Sequence, residues 1–228
     1  DAALSNITMA LTYCNVESEE HETFEHIYTI EELKEFFYDT VERYYVFANM
    51  DFIRIERRNN TARVLDFPFS GYRKGQRELA VSVYTSIKQS KRLFAHAPTG
   101  IGKTVSTLYP SVKALEKGLI TKIFYLTSRN TNAIAAVDCL KLMEKKGLDM
   151  VSLKLTAKAK SCFLDEPKCN PYDCKYAEGH FDRVNEAIID IVTNERIIEQ
   201  ETVQDYAGRH RVCPHEFALD ISLFCDVI

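Results

Sequence analysis

The sequence predicts an α/β fold, a parallel sheet with crossover helices, interrupted by a small, mostly helical cysteine-rich insertion. Three observations predict it. An apolar run, "RLFAHA" (92–97), leads into "APTGIGKT" (97–104) and then into a helical pattern, "VSTLYPSVKALEKG". A second apolar run, Ile123 to Leu126, is followed by a second helical pattern, and alternating strands and helices are the mark of parallel strands joined by crossovers. "SCFLDEPKCNPYDC" (161–174) then gathers Cys162, Cys169 and Cys174 into one short polar stretch.

Composition frames this reading. The 228 residues are 46% hydrophobic and 27% charged, as in an ordinary soluble protein of one large domain or a domain and a half. No run of eighteen apolar residues and no signal-peptide order is present, so neither membrane nor export is indicated, and the cytoplasm is the expected compartment. Seven cysteines, an odd number, then read as free thiols or metal ligands rather than a disulfide framework. The net charge of −4 gives no global attraction to nucleic acid. Basic clusters such as "RIERRNNTAR" (54–63) and "KLTAKAK" (154–160) read first as solvated surface, and only their arrangement in space would make a phosphate track. The chain begins with Asp1 and ends in "ISLFCDVI", an apolar run that reads as a strand with nothing after it; the expectation is a piece of a longer protein.

In chain order, "NITMALTY" (6–13) alternates as a half-buried strand, with a pairing partner expected upstream. A polar turn follows. Thr29 and Glu32 have capping-box spacing ahead of Ile30, Leu33, Phe37 and Val41, predicting one long helix or two joined ones whose aromatics, "FFYDTVERYY", pack a core. Turn and breaker residues in "NNTARVLDFPFSG" (59–71) place a domain boundary there, and a helix is expected from about Gly75 to Ser90. Cys14, Cys139 and Cys225 lie in apolar patterns and read as small hydrophobes.

The stretch 97–104 carries the chemistry. Gly100 and Gly102 let the backbone bend so that amides up to Thr104 converge on the β and γ phosphates, helped by the positive end of the following helix. Lys103 supplies a cation to those oxygens and Thr104 a hydroxyl for Mg²⁺. Thr99, Gly100, Gly102, Lys103 and Thr104 are therefore the expected binding residues for ATP, with Lys103 and Thr104 in the catalytic roles. Ala97 stands where the common pattern has its first glycine, a departure that resembles the superfamily-two helicase form of the loop. After the second apolar run, Thr127 and Arg129 sit at a helix start, where their donors suit either a cap or a nucleic-acid phosphate.

The cysteines have spacing C-x6-C-x4-C, with Cys213 following after thirty-eight intervening residues in "RVCPHEF". Structural zinc prefers pairs two to four residues apart, and only Cys169 and Cys174 approach that. Four spread thiolates suit a cubane iron–sulfur cluster, in which each iron takes one cysteine. Spacing alone leaves cluster, zinc and no metal open, with His180 and His215 as substitute ligands that improve neither geometry.

Motif order narrows this. "GYRKGQ", "APTGIGKT", "YLTSRN", the four cysteines with "YAEGHFDR" after the third, and "CPHEF" around the fourth resemble, over residues 66–228, the iron–sulfur helicases of the XPD and DinG family. The resemblance implies a RecA-like motor lobe over 63–159, an iron–sulfur domain over 160–213 with Cys162, Cys169, Cys174 and Cys213 holding a [4Fe–4S] cluster, and a return into the lobe over 214–228. It implies Gln76 as the adenine reader with Tyr72 or Phe69 stacked beside it. Thr127 and Arg129 are implied to hold single-stranded DNA, and the cluster domain to act at a forked duplex. Lys158, Lys160, Lys175 and Arg183 are weaker candidates for the DNA path. Residues 1–62 fall outside the match and are similar to the tail of a PD-(D/E)xK nuclease-like domain.

A motor also needs a second acidic motif for magnesium and arginines from a second lobe. The one Asp-Glu pair, Asp165 and Glu166, lies between two cysteines, so these residues are expected to bind nucleotide without turning it over robustly. Two rival classes remain: a zinc-bearing nucleotide-binding protein that remodels nucleic acid or protein without unwinding, and an interaction module with a relic loop.

Overall fold

The computed structural model describes residues 5–98, 100–128 and 130–228, Asn130 by its backbone alone. The chain divides into two compact units, residues 1–49 and 50–228. In the first, β1 (Asn6–Cys14) pairs antiparallel with β2 (His21–Thr29), in register from Asn6↔Thr29 to Cys14↔His21. The partner of the first strand is thus downstream, in a segment read from sequence as polar turn. Its charged residues masked an alternation in which Phe24, His26 and Tyr28 share a face with Leu11, Met9 and Ile7.

The helix α1 (Ile30–Val64) is one unbroken element through which the division passes. Its start is the expected capping box: Glu32 Oε2 accepts from the Thr29 amide at 2.8 Å, and the Thr29 hydroxyl accepts from the Glu32 amide at 3.2 Å. The Thr29 amide and the Thr29 hydroxyl, which also donates to Oε2 at 3.0 Å, hold the Glu32 carboxyl below its usual pKa. The aromatics expected in a core are instead exposed in this unit, Phe36, Phe37, Tyr44 and Tyr45 all more than half so. Helical periodicity specifies a face; it does not supply the surface that covers it.

The second unit is a helical assembly. α2 (Gln76–Lys88) packs on α3 (Lys103–Glu116), and α3 on α4 (Asn130–Lys145). After β3 (Ser152–Leu153) and the single turn α5 (Lys158–Ser161), α6 (His180–Asn194), α7 (Gln200–His210) and α8 (Pro214–Ser222) pack together, with β4 (Ile197–Ile198) between α6 and α7 in sequence. Leu108, Val112, Leu115, Leu140 and Met143 anchor the core under α3 and α4, and Val184, Ile188, Ile191, Val203, Phe217 and Ile221 the interior of α6–α8. Lys113 Nζ donates to the Ala62 and Arg63 carbonyls at 2.7 and 3.2 Å, a cation satisfying the open C-terminal end of α1.

The RecA-like parallel sheet expected from sequence is absent among the described residues, which are mostly helical. One two-stranded antiparallel sheet, β1–β2, and a separate two-stranded parallel sheet, β3–β4, are present. Residues 92–97 form no ladder, and Phe94 is 93% exposed. Ile123 makes a single parallel bridge to Val227, which bridges Ser152 as well. An apolar run becomes a strand only when a neighbouring edge takes up its amides and carbonyls; among the described residues that condition is met over two residues in each strand of the β3–β4 pair, and over a few backbone bonds that join 226–228 to 123–125 on one side and to 151–153 on the other. The terminal "ISLFCDVI" divides: Ile221 and Ser222 close α8, because Phe217, Ala218 and Ile221 repeat with helical period and are buried, whereas the Asp226 and Ile228 amides donate to the Val151 and Ile123 carbonyls at 2.8 and 2.9 Å in the manner of a parallel strand.

The C-terminal segment is fixed by charge. Asp226, 1% exposed, accepts from Arg54 Nη1 at 2.6 Å and Arg58 Nη1 at 2.7 Å through one oxygen, and from the Val151 amide at 3.3 Å through the other. Burial pulls the Arg54 pKa down, and Asp226 together with Asp51 outweighs it, so the guanidinium stays charged.

Candidate functional site

Two groups of residues carry chemistry, both in the second unit. The first surrounds the N-terminus of α3. Gly100 and its N-cap Gly102 both have φ of 85°, a left-handed backbone that glycine adopts without strain. The first amide to find an intrahelical acceptor is that of Ser106, on the Gly102 carbonyl at 3.2 Å. The amides of Lys103, Thr104 and Val105 are those a helix start leaves for an outside acceptor. Lys103 is exposed and folded back on the loop, its Nζ donating to the Ala97 and Pro98 carbonyls at 3.1 and 2.9 Å. Thr104 is half-buried in the first turn. Thr99 lies outside the described residues.

Neighbours hold this loop in shape. Arg73 Nη1 donates to the Gly100 carbonyl at 2.7 Å, a contact that sequence reading missed although Arg73 is part of "GYRKGQ". Gln76 is 3% exposed, and its Oε1 accepts from the Arg73 amide at 2.9 Å. A Cβ placed on Gly102 would overlap Gln76 Nε2, so the amide expected to read adenine abuts the loop itself. Tyr72 stacks on Phe67 with ring centroids 3.9 Å apart, and Phe69 lies 5.9 Å from the same ring. Thr127 is half-buried just ahead of α4, and Arg129 lies outside the described residues.

The second group is the cysteine segment. All seven cysteines are free thiols. Cys139 and Cys225 are buried, their pKa values pushed up to about 12 by loss of hydration, as small hydrophobes should be. Cys14, grouped with them from sequence, is exposed, because β1 has no covering layer. Of the four proposed ligands, Cys174 is buried, Cys162 and Cys213 half-buried and Cys169 exposed. Burial raises the Cys213 pKa; the His215 and Glu216 amides at the start of α8 oppose this, and the charge of Cys174 adds to it. The Lys158 ammonium pKa is raised by hydrogen bonding to Cys169 and by its charge, with smaller contributions from Glu216 and Cys213. Cys174 and Cys213 are thus electrostatic neighbours, and Lys158 faces both Cys169 and Cys213.

In its chemistry this donor set fits a thiolate-bound metal: four free sulfurs on two segments that approach each other. It is not closed. Among the described residues no three His, Cys, Asp or Glu side chains stand together as a metal-holding group.

The candidate DNA-path residues separate. Lys175 and Arg183 line one cleft with Arg211, Glu178, Asp182 and Gly208, of about 700 Å³. Arg183 Nη2 donates to the Glu178 and Arg211 carbonyls at 2.5 and 2.8 Å. Lys158 belongs to the cysteine group instead, and Lys160 offers its carbonyl to Gln200 Nε2 at 2.6 Å. His180, read from sequence as a substitute ligand, turns both ring nitrogens to other partners.

Comparison with family models, curated proteins and solved structures finds no match to this chain. No helix among the described residues is long and apolar enough to cross a membrane.

Proposed function

We propose that the chain is the nucleotide-binding and cluster-bearing part of an ATP-dependent DNA helicase of the iron–sulfur kind, working in the cytoplasm on single-stranded and forked DNA. The observation that carries the reading is the loop Gly100–Thr104: two left-handed glycines, three helix-start amides without an intrahelical acceptor and an exposed lysine suit a receptor for a polyphosphate. On binding, Lys103 exchanges the carbonyls of Ala97 and Pro98 for the β and γ oxygens of ATP, which are far better acceptors for its charge. The Thr104 hydroxyl would hold Mg²⁺, which neutralises the same phosphates. Gln76 and Arg73 keep the loop open for this exchange, and Thr127 and Arg129 would hold the single strand. Cys162, Cys169, Cys174 and Cys213 would hold the [4Fe–4S] cluster, which when bound cross-links their segments into one rigid element. Turnover needs an acidic magnesium ligand and arginines that these residues do not supply, so the 228 residues bind ATP without robust DNA-stimulated hydrolysis.

The test is anaerobic purification with iron, sulfide, zinc and visible absorption measured for wild type and Cys213→Ser, beside ATP affinity for wild type and Lys103→Ala. About four irons and four sulfides per chain, lost in Cys213→Ser, are expected. The Lys103→Ala change is expected to weaken ATP binding by about 1.5–3 kcal/mol. Stoichiometric zinc in a colourless protein would instead select the non-unwinding nucleotide-binding reading, and unchanged ATP affinity a relic loop.

A further inference from the structure

The proposed ligand set has a gap in sequence. Cys174 and Cys213 are separated by two helices, α6 and α7, so a contact that holds their segments together lowers the cost of gathering the two sulfurs around a metal. The described side chains contain a candidate for that task outside the four thiols.

His180 opens α6 and is 3% exposed. On one side it is tied to Cys174 through consecutive turns: the Ala177 and Glu178 amides donate to the Cys174 carbonyl at 2.9 and 3.0 Å, and the His180 amide donates to the Ala177 carbonyl at 3.3 Å. On the other side its ring meets α8 at two points, the N-cap Cys213 and Asp220 in the last turn. Nδ1 accepts from the Cys213 amide at 3.2 Å, and Nε2 lies 3.3 Å from Asp220 Oδ2 on the same helix. Because the Cys213 amide can only donate, Nδ1 must be the bare nitrogen, which puts the proton on Nε2 and points it at the Asp220 carboxylate. Arg183, one turn further along α6, adds a parallel strap by donating to the Arg211 carbonyl at 2.8 Å.

We propose that His180 is the positioning residue of the cysteine site: its imidazole clips the backbone of Cys213 to the segment that carries Cys174, so that the two sulfurs are presented together. The inference deepens the reading of these cysteines as metal ligands and rests on it. It also gives the imidazole a role other than ligand, since both nitrogens are committed to α8. Residues that orient a metal ligand from outside the ligand set change metal affinity by about 10–100-fold when removed.

The test compares wild type with His180→Asn and His180→Leu in the full 228-residue chain. An Asn side chain returns an acceptor oxygen near the place of Nδ1; a Leu side chain fills the space without one. Amide hydrogen exchange at Cys213 is expected to be slow in wild type, to stay slow in His180→Asn, and to rise about tenfold or more in His180→Leu. Iron and sulfide per chain are expected to follow the same order, with His180→Leu losing most of its metal at an unchanged circular-dichroism spectrum. Full metal and unchanged Cys213 exchange in a folded His180→Leu protein would overturn the proposal. Should that variant fail to fold, Asp220→Ala releases Nε2 alone: faster Cys213 exchange supports the clip, and unchanged exchange refutes it. A wild type free of both iron and zinc would sink the metal reading while the exchange data still decide the clip.

Discussion

The glycine loop at 100–104 and the cysteine segment were both legible as short motifs, yet the fold treats them differently. Around Gly100 and Gly102 every feature is already set: the left-handed glycines, the Arg73 donor on one carbonyl, Gln76 packed against the next, Lys103 parked on two more. Between Cys162 and Gly179 there is no regular secondary structure, and local turns such as the Asn170 carboxamide accepting from the Tyr172 and Asp173 amides shape the chain. A loop that binds through its backbone must be formed in advance, because amides cannot be recruited after the ligand arrives. Thiolates on a segment shaped only by local turns can be drawn together by the metal, whose binding energy then completes the site.

The largest expected effect lies outside both regions. Asp226→Ala leaves Arg54 and Arg58 buried without their shared carboxylate, and should cost about 3–5 kcal/mol, read as a lower denaturant midpoint. A neutral loss there would mean that the C-terminal segment is not what ties the second unit together. Next is Gly102→Ala. The added methyl overlaps Gln76 Nε2 on a backbone with φ of 85°, so a loss of about 1–3 kcal/mol in stability and a matching fall in ATP affinity are expected. Unimpaired nucleotide binding in that variant would erase the contrast between a preset and an unset site.

A pH measurement separates the scaffold from the site. Burial raises the folded pKa of Cys225 to about 12 from an ordinary 9.0, so the unfolded chain loses this proton first as pH rises. Its stabilising contribution is therefore complete below about pH 9 and lost as pH climbs from there toward the folded value. Urea midpoints should fall less steeply from pH 8 to 10.5 in Cys225→Ala than in wild type. An equal slope in the two proteins would assign the alkaline loss to other groups. The smallest effect belongs to the open site: Cys169→Ser, at an exposed position, should shift metal-free stability by no more than about 0.5 kcal/mol while lowering metal content.

Several readings failed for reasons that individual residues make plain. Thr29 and Glu32 were legible because a capping box is local, closed within three residues. Phe24, His26 and Tyr28 were missed because Glu22 and Glu25 among them looked like turn. Arg73 lies in "GYRKGQ", yet nothing in that run says that its guanidinium reaches a carbonyl twenty-seven residues away. His180 was weighed as a ligand because the sequence lists donors without their directions.

From the sequence alone came the local rules: helix starts, the glycines of the Gly100–Thr104 loop, and a thiol-rich segment with a fourth cysteine further along. These depend on covalent structure and on neighbours a few residues apart. Only the tertiary structure decided that 92–97 forms no strand, that α1 ends under Lys113, that Gln76 faces Gly102, and that His180 grips Cys213. Each of those turns on which distant backbone group is available to accept or donate, and an amide or carbonyl taken out of water goes to whichever partner the packing brings within reach.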